Sequence, residues 1–184
     1  MTLKKIAQSV ESLIRWLAVD PETLEIKTAL DNRGAVMVVK GRAGEAGRLI
    51  GTGGVVIKSL QTIATIASHD RLLLELINPA VTKGPPLPDN QWPLPANLAP
   101  LASVVRTLVA TVDPEAKVKV LGVENAWIVS VVARSWSPEL DQLVKALDKV
   151  LMAIARARRG TIKVLLEVDD AVLQQGGADR AAGG

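Results

Sequence analysis

The tetrapeptide Val-Asp-Pro-Glu occurs twice in this chain, at 19–22 and at 112–115, and each time it interrupts a stretch with helical hydrophobic spacing. Before the first copy, Ile6, Val10, Leu13, Ile14 and Leu17 fall on one face at three- and four-residue steps. Before the second, Leu98, Leu101, Val105, Leu108 and Val109 form a matching stripe. The segments that follow also correspond. Leu24 to Leu30 and Ala35 to Lys40 have strand character and flank Asp31-Asn32-Arg33-Gly34, a hairpin signal. Lys117 to Leu121 and Ala126 to Ala133 likewise flank Gly122 to Asn125. Helical spacing returns at Gly44 to Ile50 and Val55 to Ser68 in the first half, and from Pro138 to about Ala157 in the second. Each half closes on a strand, Arg71 to Asn78 or Thr161 to Val168. From the shared tetrapeptide to the last strand, the second copy is about three residues shorter, and the deficit falls where the first carries a glycine-rich loop. These matches predict an α+β protein of two tandem α-β-β-α-α-β units, each a three-stranded sheet packed by helices, the second having lost the loop.

Seven of the ten prolines lie between Pro79 and Pro100. Proline fixes φ and cannot continue a helix or a ladder, so this stretch reads as a stiff linker. The expected organisation is a first domain at 1–78, a linker at 79–96, a second domain at 97–170 and a disordered tail at 171–184. A unit of ~75 residues is marginal by itself, so packing of one copy on the other would help.

Composition removes several function classes. The chain has no Cys and one His, which excludes thiol nucleophiles, disulfides and zinc sites, and no metal or cofactor is expected. The carboxylates Asp20/Glu22 and Asp113/Glu115 bracket prolines at turns, where such residues are ordinary, so no catalytic pair is assigned and an enzyme is not expected. The apolar runs fall short of a membrane span and the N-terminus shows no signal-peptide pattern, giving a cytoplasmic expectation. Four Trp are the only aromatics. Trp16, Trp127 and Trp136 are expected in the core or between the repeats, and Trp92, in the linker, is expected to dock it onto a domain. His69 is expected to satisfy carbonyls at a helix end. Net charge is only +3, so nucleic-acid binding can be argued only from local arrangement.

That arrangement is densest in Gly47-Arg-Leu-Ile-Gly-Thr-Gly-Gly-Val-Val-Ile-Lys-Ser-Leu-Gln-Thr-Ile63. Gly51, Gly53 and Gly54 permit positive φ and let a ligand approach without meeting a Cβ. The loop opens into a helix whose first amides and dipole favour a phosphodiester. Lys40, Arg42, Arg48 and Lys58 lie within about ten residues of it, opposed there only by Glu45. Ile50, Val55 and Val56 offer apolar surface to unstacked bases. A dinucleotide fingerprint or a P-loop does not fit, because a helical stretch precedes the glycines and no Gly-Lys-Ser/Thr follows.

The helix-Ile-Gly-X-X-Gly-helix pattern resembles the KH domain, whose GXXG loop clamps about four backbone nucleotides of a single strand. The element order resembles the type II, prokaryotic arrangement. More narrowly, the first 78 residues are similar to the small bacterial single-KH RNA-binding proteins regarded as RNA chaperones, through the Asp-Pro-Glu after the first helix, Gly-Arg-Leu-Ile-Gly and Ile-Lys-Ser-Leu-Gln-Thr-Ile. The resemblance implies a backbone clamp at Gly51, Thr52, Gly53 and Gly54 and a groove lined by Arg48, Ile50, Val55 and Lys58. Where that family commonly carries Lys or Arg inside the loop, this chain has Thr52 and Gly53. Its second half keeps a KH-like order without GXXG. Arg156, Arg158 and Arg159 read as a solvated patch at a helix end or as auxiliary contacts to the nucleic-acid backbone, with Lys40 and Arg42 as further auxiliaries. The expected function is non-catalytic binding of single-stranded RNA, with single-stranded DNA as a variant and association with itself or another KH protein as a further partnership. A protein–protein adaptor with a vestigial RNA site is the alternative.

Overall fold

The computed structural model describes residues 2–18, 20–41, 43–77, 94–123 and 126–169. Arg42, Trp92, the linker up to residue 93 and the tail at 171–184 lie outside the described residues. The first unit runs α1 (Leu3–Leu17), β1 (Glu25–Leu30), β2 (Ala35–Lys40), α2 (Ala43–Ile50), α3 (Val55–Ser68) and β3 (Leu72–Ile77). The second runs α4 (Ala99–Val109), β4 (Lys117–Val123), β5 (Ala126–Ala133), α5 (Pro138–Ala157) and β6 (Thr161–Val168). Each forms a three-stranded mixed sheet, in the orders β1-β2-β3 and β4-β5-β6, whose first pair is antiparallel and whose second is parallel.

The duplicated order needs one correction: the second unit is α-β-β-α-β. A single 20-residue helix, α5, stands where the first unit has α2, the loop and α3. Between Pro138 and Ala157 there is no glycine to break the ladder, and Leu140, Leu143, Val144, Leu147, Val150, Leu151 and Ile154 hold one buried stripe throughout. Ser137 caps its start, its Oγ accepting from the Leu140 N–H at 3.1 Å. Asp148 ties the helix to the sheet, accepting from Val164 N–H at 2.9 Å and from Lys163 Nζ at 3.0 Å.

Local sequence accounts for the other joints. Asp31 Oδ1 accepts from the N–H groups of Arg33 (2.7 Å) and Gly34 (2.9 Å), closing the β1–β2 hairpin and holding the Asp31 carboxyl below its usual range. His69 ends α3 in the left-handed region (φ 52°), its N–H donating to the Ile66 carbonyl.

The two units share one core. α3 packs along α5, α1 packs on α4, and α1 also meets α5. Like helix thus meets like helix, as in an isologous pair inside one chain. Leu94, at the far end of the linker, is buried in that core. Trp16 on α1 stacks under Arg158 at the end of α5, with the guanidinium 4.9 Å from the ring centre. Trp127 is half-buried against the core, but Trp136 is 59% exposed and not the packing residue expected of it. It lies between β5 and α5, in the turn that precedes Ser137, outside either apolar pattern.

The stretch Glu45–Ser68 is long and apolar enough to cross a bilayer by composition, more than the runs suggested. Here it is two helices with a glycine turn between them, and Leu49, Leu60 and Ile63 are fully buried in the core.

Gly122 is required by packing. A Cβ there would fall on the six-membered ring of Trp127, the residue it opposes across the β4–β5 ladder. Gly122→Ala is expected to lower stability by about 1–3 kcal/mol through overpacking. Chemical denaturation followed by circular dichroism checks this, and an unchanged midpoint would show that the indole shifts freely.

Candidate nucleic-acid interface

α2 ends at Ile50 because three of the next four residues adopt positive φ: Gly51 at 70°, Gly53 at 63° and Gly54 at 75°. The chain reverses and re-enters a helix at Val55, with no side chain capping the new N-terminus. Two amides at this entry are already engaged within the turn, Gly54 N–H donating to the Gly51 carbonyl at 3.1 Å and Val55 N–H to the Thr52 carbonyl. The glycines do different work. A Cβ on Gly51 would fall on the Val56 side chain, so this position serves the fold as well as the turn. Gly53 has open space within 4 Å of where a Cβ would stand, and both it and Thr52 are exposed. At Gly53 the loop tip therefore presents bare backbone to solvent.

Below this tip runs a groove made by both units. One part, of about 360 Å³, is lined by Leu17, Arg48, Gly51, Thr52, Val55 and Val56 on one side, and by Lys149, Met152, Ala153, Arg156 and Ala157 of α5 on the other. The adjoining part, of about 380 Å³, lies between Val55, Lys58, Ser59 and Thr62 of α3 and Gln142, Lys145, Ala146 and Lys149 of α5. The two share Val55 and Lys149. Arg48, Lys58, Lys145, Lys149 and Arg156 line them, with no carboxylate among the lining residues. Glu45, the acid nearest the loop in sequence, is 1% exposed and accepts from the Asp20 N–H at 3.2 Å. Asp148 is engaged with β6, as above. Asp141 reaches a groove cation, at 2.7 Å from Lys145 Nζ. A depression of about 350 Å³ at the β1–β2 hairpin differs in charge, because Asp31 and Asp70 accompany its Arg33 and Arg71.

Of the residues singled out from the sequence, Arg48, Gly51, Thr52, Val55 and Lys58 come together on this groove. Gly53 and Gly54 lie between Thr52 and Val55, which line it, and Ile50 is half-buried at the end of α2. The auxiliary residues separate. Lys40 sits opposite Glu25 on the outer face of the first sheet, because strand alternation turns it away from buried Val39. Arg158 is spent on Trp16, and burial pulls its guanidinium below the usual arginine value. Arg159 is exposed and lines neither part of the groove. Arg156 does line it. Lys145, Lys149 and Met152 went unassigned in the sequence. Their spacing marks one face of α5, but such a stripe is indistinguishable there from an ordinary solvated face. Comparison with protein-family models and with curated proteins finds no match for this chain.

Proposed function

We propose that the chain is a non-catalytic, cytoplasmic binder of single-stranded RNA, with a type II KH domain in its first unit and the loop Gly51-Thr52-Gly53-Gly54 as the backbone clamp. The observation that carries this reading is the bare loop tip. Gly53 faces solvent at positive φ with no neighbour to require the absence of a side chain, at the mouth of a helix and beside a groove lined by cations. Nucleic-acid backbone fits both features, since it needs close approach to the loop and brings phosphates to the groove cations. The α-β-β-α-α-β order and the mixed β1-β2-β3 sheet of the first unit support the KH assignment. Apolar Leu17, Val55 and Val56 beside the cations give unstacked bases a surface.

Titration of the purified chain with a labelled single-stranded RNA tests the reading. Binding should weaken as salt is added, because each phosphate contact releases counterions. Thr52→Lys places a cation on the loop and is expected to tighten binding at low salt by about threefold to tenfold and to steepen the salt slope by roughly 0.7. No gain at low salt would argue that phosphate does not lie at this loop.

A second reading, a protein–protein adaptor, is favoured by the outer sheet faces. Val36, Leu73 and Ile77 on one, and Leu121, Ile128 and Leu165 on the other, are exposed apolar residues. RNA titration decides between them: a chain that binds no RNA at low salt is the adaptor.

A further inference from the structure

We infer that α5 of the second unit is the opposite wall of the nucleic-acid channel, with Lys149 and Arg156 contacting phosphates of the strand that the Gly51–Gly54 loop clamps. This rests on the reading of that loop as an RNA clamp. It gives the unit without a GXXG sequence a direct part in binding, beyond packing.

Three observations carry it. The groove is continuous past the loop and has α5 along its length, because both parts are closed by α5 residues and joined at Val55 and Lys149. The α5 wall is a stripe, Lys145, Lys149, Met152 and Arg156, spaced at three- and four-residue steps over roughly 16 Å of helix. Among the described residues, neither Lys149 nor Arg156 on that wall is seen in an ion pair with a carboxylate. Asp148 turns to β6, where Lys163 and the Val164 N–H hold it, and no carboxylate lines the groove. Lys145 is partly neutralised by Asp141, which leaves Lys149 and Arg156 as the main contacts. Both are exposed, so neither is needed for the core. Met152 and Ala153 between them supply an apolar strip at the height of Val55 and Leu17, suited to bases whose phosphates run along the cations. A groove of two walls also explains why a loop without its own Lys or Arg can serve. The positive charge is supplied across the channel.

The test is a salt titration of a labelled single-stranded RNA of fixed sequence, read by fluorescence anisotropy. The proteins are the wild type, Lys149→Ala/Arg156→Ala, a loop variant Thr52→Asp/Gly53→Asp, and the charge-matched control Lys117→Ala/Lys119→Ala on β4. Circular dichroism melts show that each is folded. The α5 pair is expected to weaken binding by about fivefold to tenfold at low salt and to reduce the salt slope by roughly 1.4, two single-strand phosphate contacts. The control pair should change affinity by no more than about twofold. Lys149→Arg/Arg156→Lys should keep the wild-type slope. A DNA strand of the same sequence should lose as much slope as the RNA, since the contacts are to phosphate, and any difference in absolute affinity reports the 2′-OH elsewhere. If the loop variant loses binding while the α5 pair matches the control, the inference is overturned and the clamp stands. If the wild type binds neither strand, both fall.

Discussion

Thr52→Asp/Gly53→Asp is expected to weaken single-stranded RNA binding by at least about thirtyfold while leaving the melting temperature near that of the wild type. Both side chains would project from an exposed tip, and a Cβ at Gly53 meets nothing within 4 Å. Gly53 lies at φ 63° and ψ 19°, and aspartate is among the few residues that tolerate the left-handed region. The fold therefore survives. Binding does not, because each carboxylate stands where a phosphate would approach the loop. Two unit charges about 4 Å apart repel by roughly 1 kcal/mol even with water's full screening, and two such repulsions amount to about thirtyfold in Kd. Screening at a partly enclosed groove is weaker, so this is a lower bound. Gly51 is unsuitable for the same experiment, since a side chain there strikes Val56 and a loss of binding would only report a damaged fold. A double mutant that binds as the wild type does would remove the loop from the site.

Cutting the chain in the linker is expected to cost the first unit its independent fold. α1 buries Ile6, Ala7, Val10, Leu13, Ile14 and Leu17 along one face, and it touches both α4 and α5. α3 lies along α5, with Ser59 and Ala146 both buried at 5% exposure where the two helices meet. Trp16 loses Arg158 as well. Exposing one large apolar side chain costs about 1.5–3 kcal/mol, so a handful of newly exposed residues equals the ~5–15 kcal/mol that holds a typical domain. A fragment of residues 1–77 should therefore show no cooperative thermal transition at low micromolar concentration, or regain one only by pairing with itself through the same helices. Circular dichroism melts alongside sedimentation check this. A monomeric fragment melting within a few degrees of the whole chain would show that the shared core is dispensable.

Most elements were legible from the sequence because their causes are local. β2, α3, β5, α5 and β6 have the bounds that hydrophobic spacing and turn residues predict. The loop was legible for the same reason, since three glycines in four residues between two helical patterns leave few alternatives. The single helix α5 in place of the first unit's two helices needed only the absence of a breaker between Pro138 and Ala157. The solvent exposure of Trp136, the diversion of Arg158 onto Trp16 and the placement of Lys40 on the far side of its sheet were not legible. Each depends on which surfaces oppose one another, and a side chain's hydrophobicity or charge does not say what it will face.

By itself the sequence determined the two α+β units, the repeat that relates them and the bare glycine turn at the start of α3, because each follows from interactions between near neighbours along the chain. Tertiary structure alone decided that the units share a core and that Lys149 and Arg156 stand across a groove from the loop. The α5 stripe reads the same from the sequence whether it borders water or a groove. Only the packing of α3 on α5 brings charges about a hundred residues away to that turn.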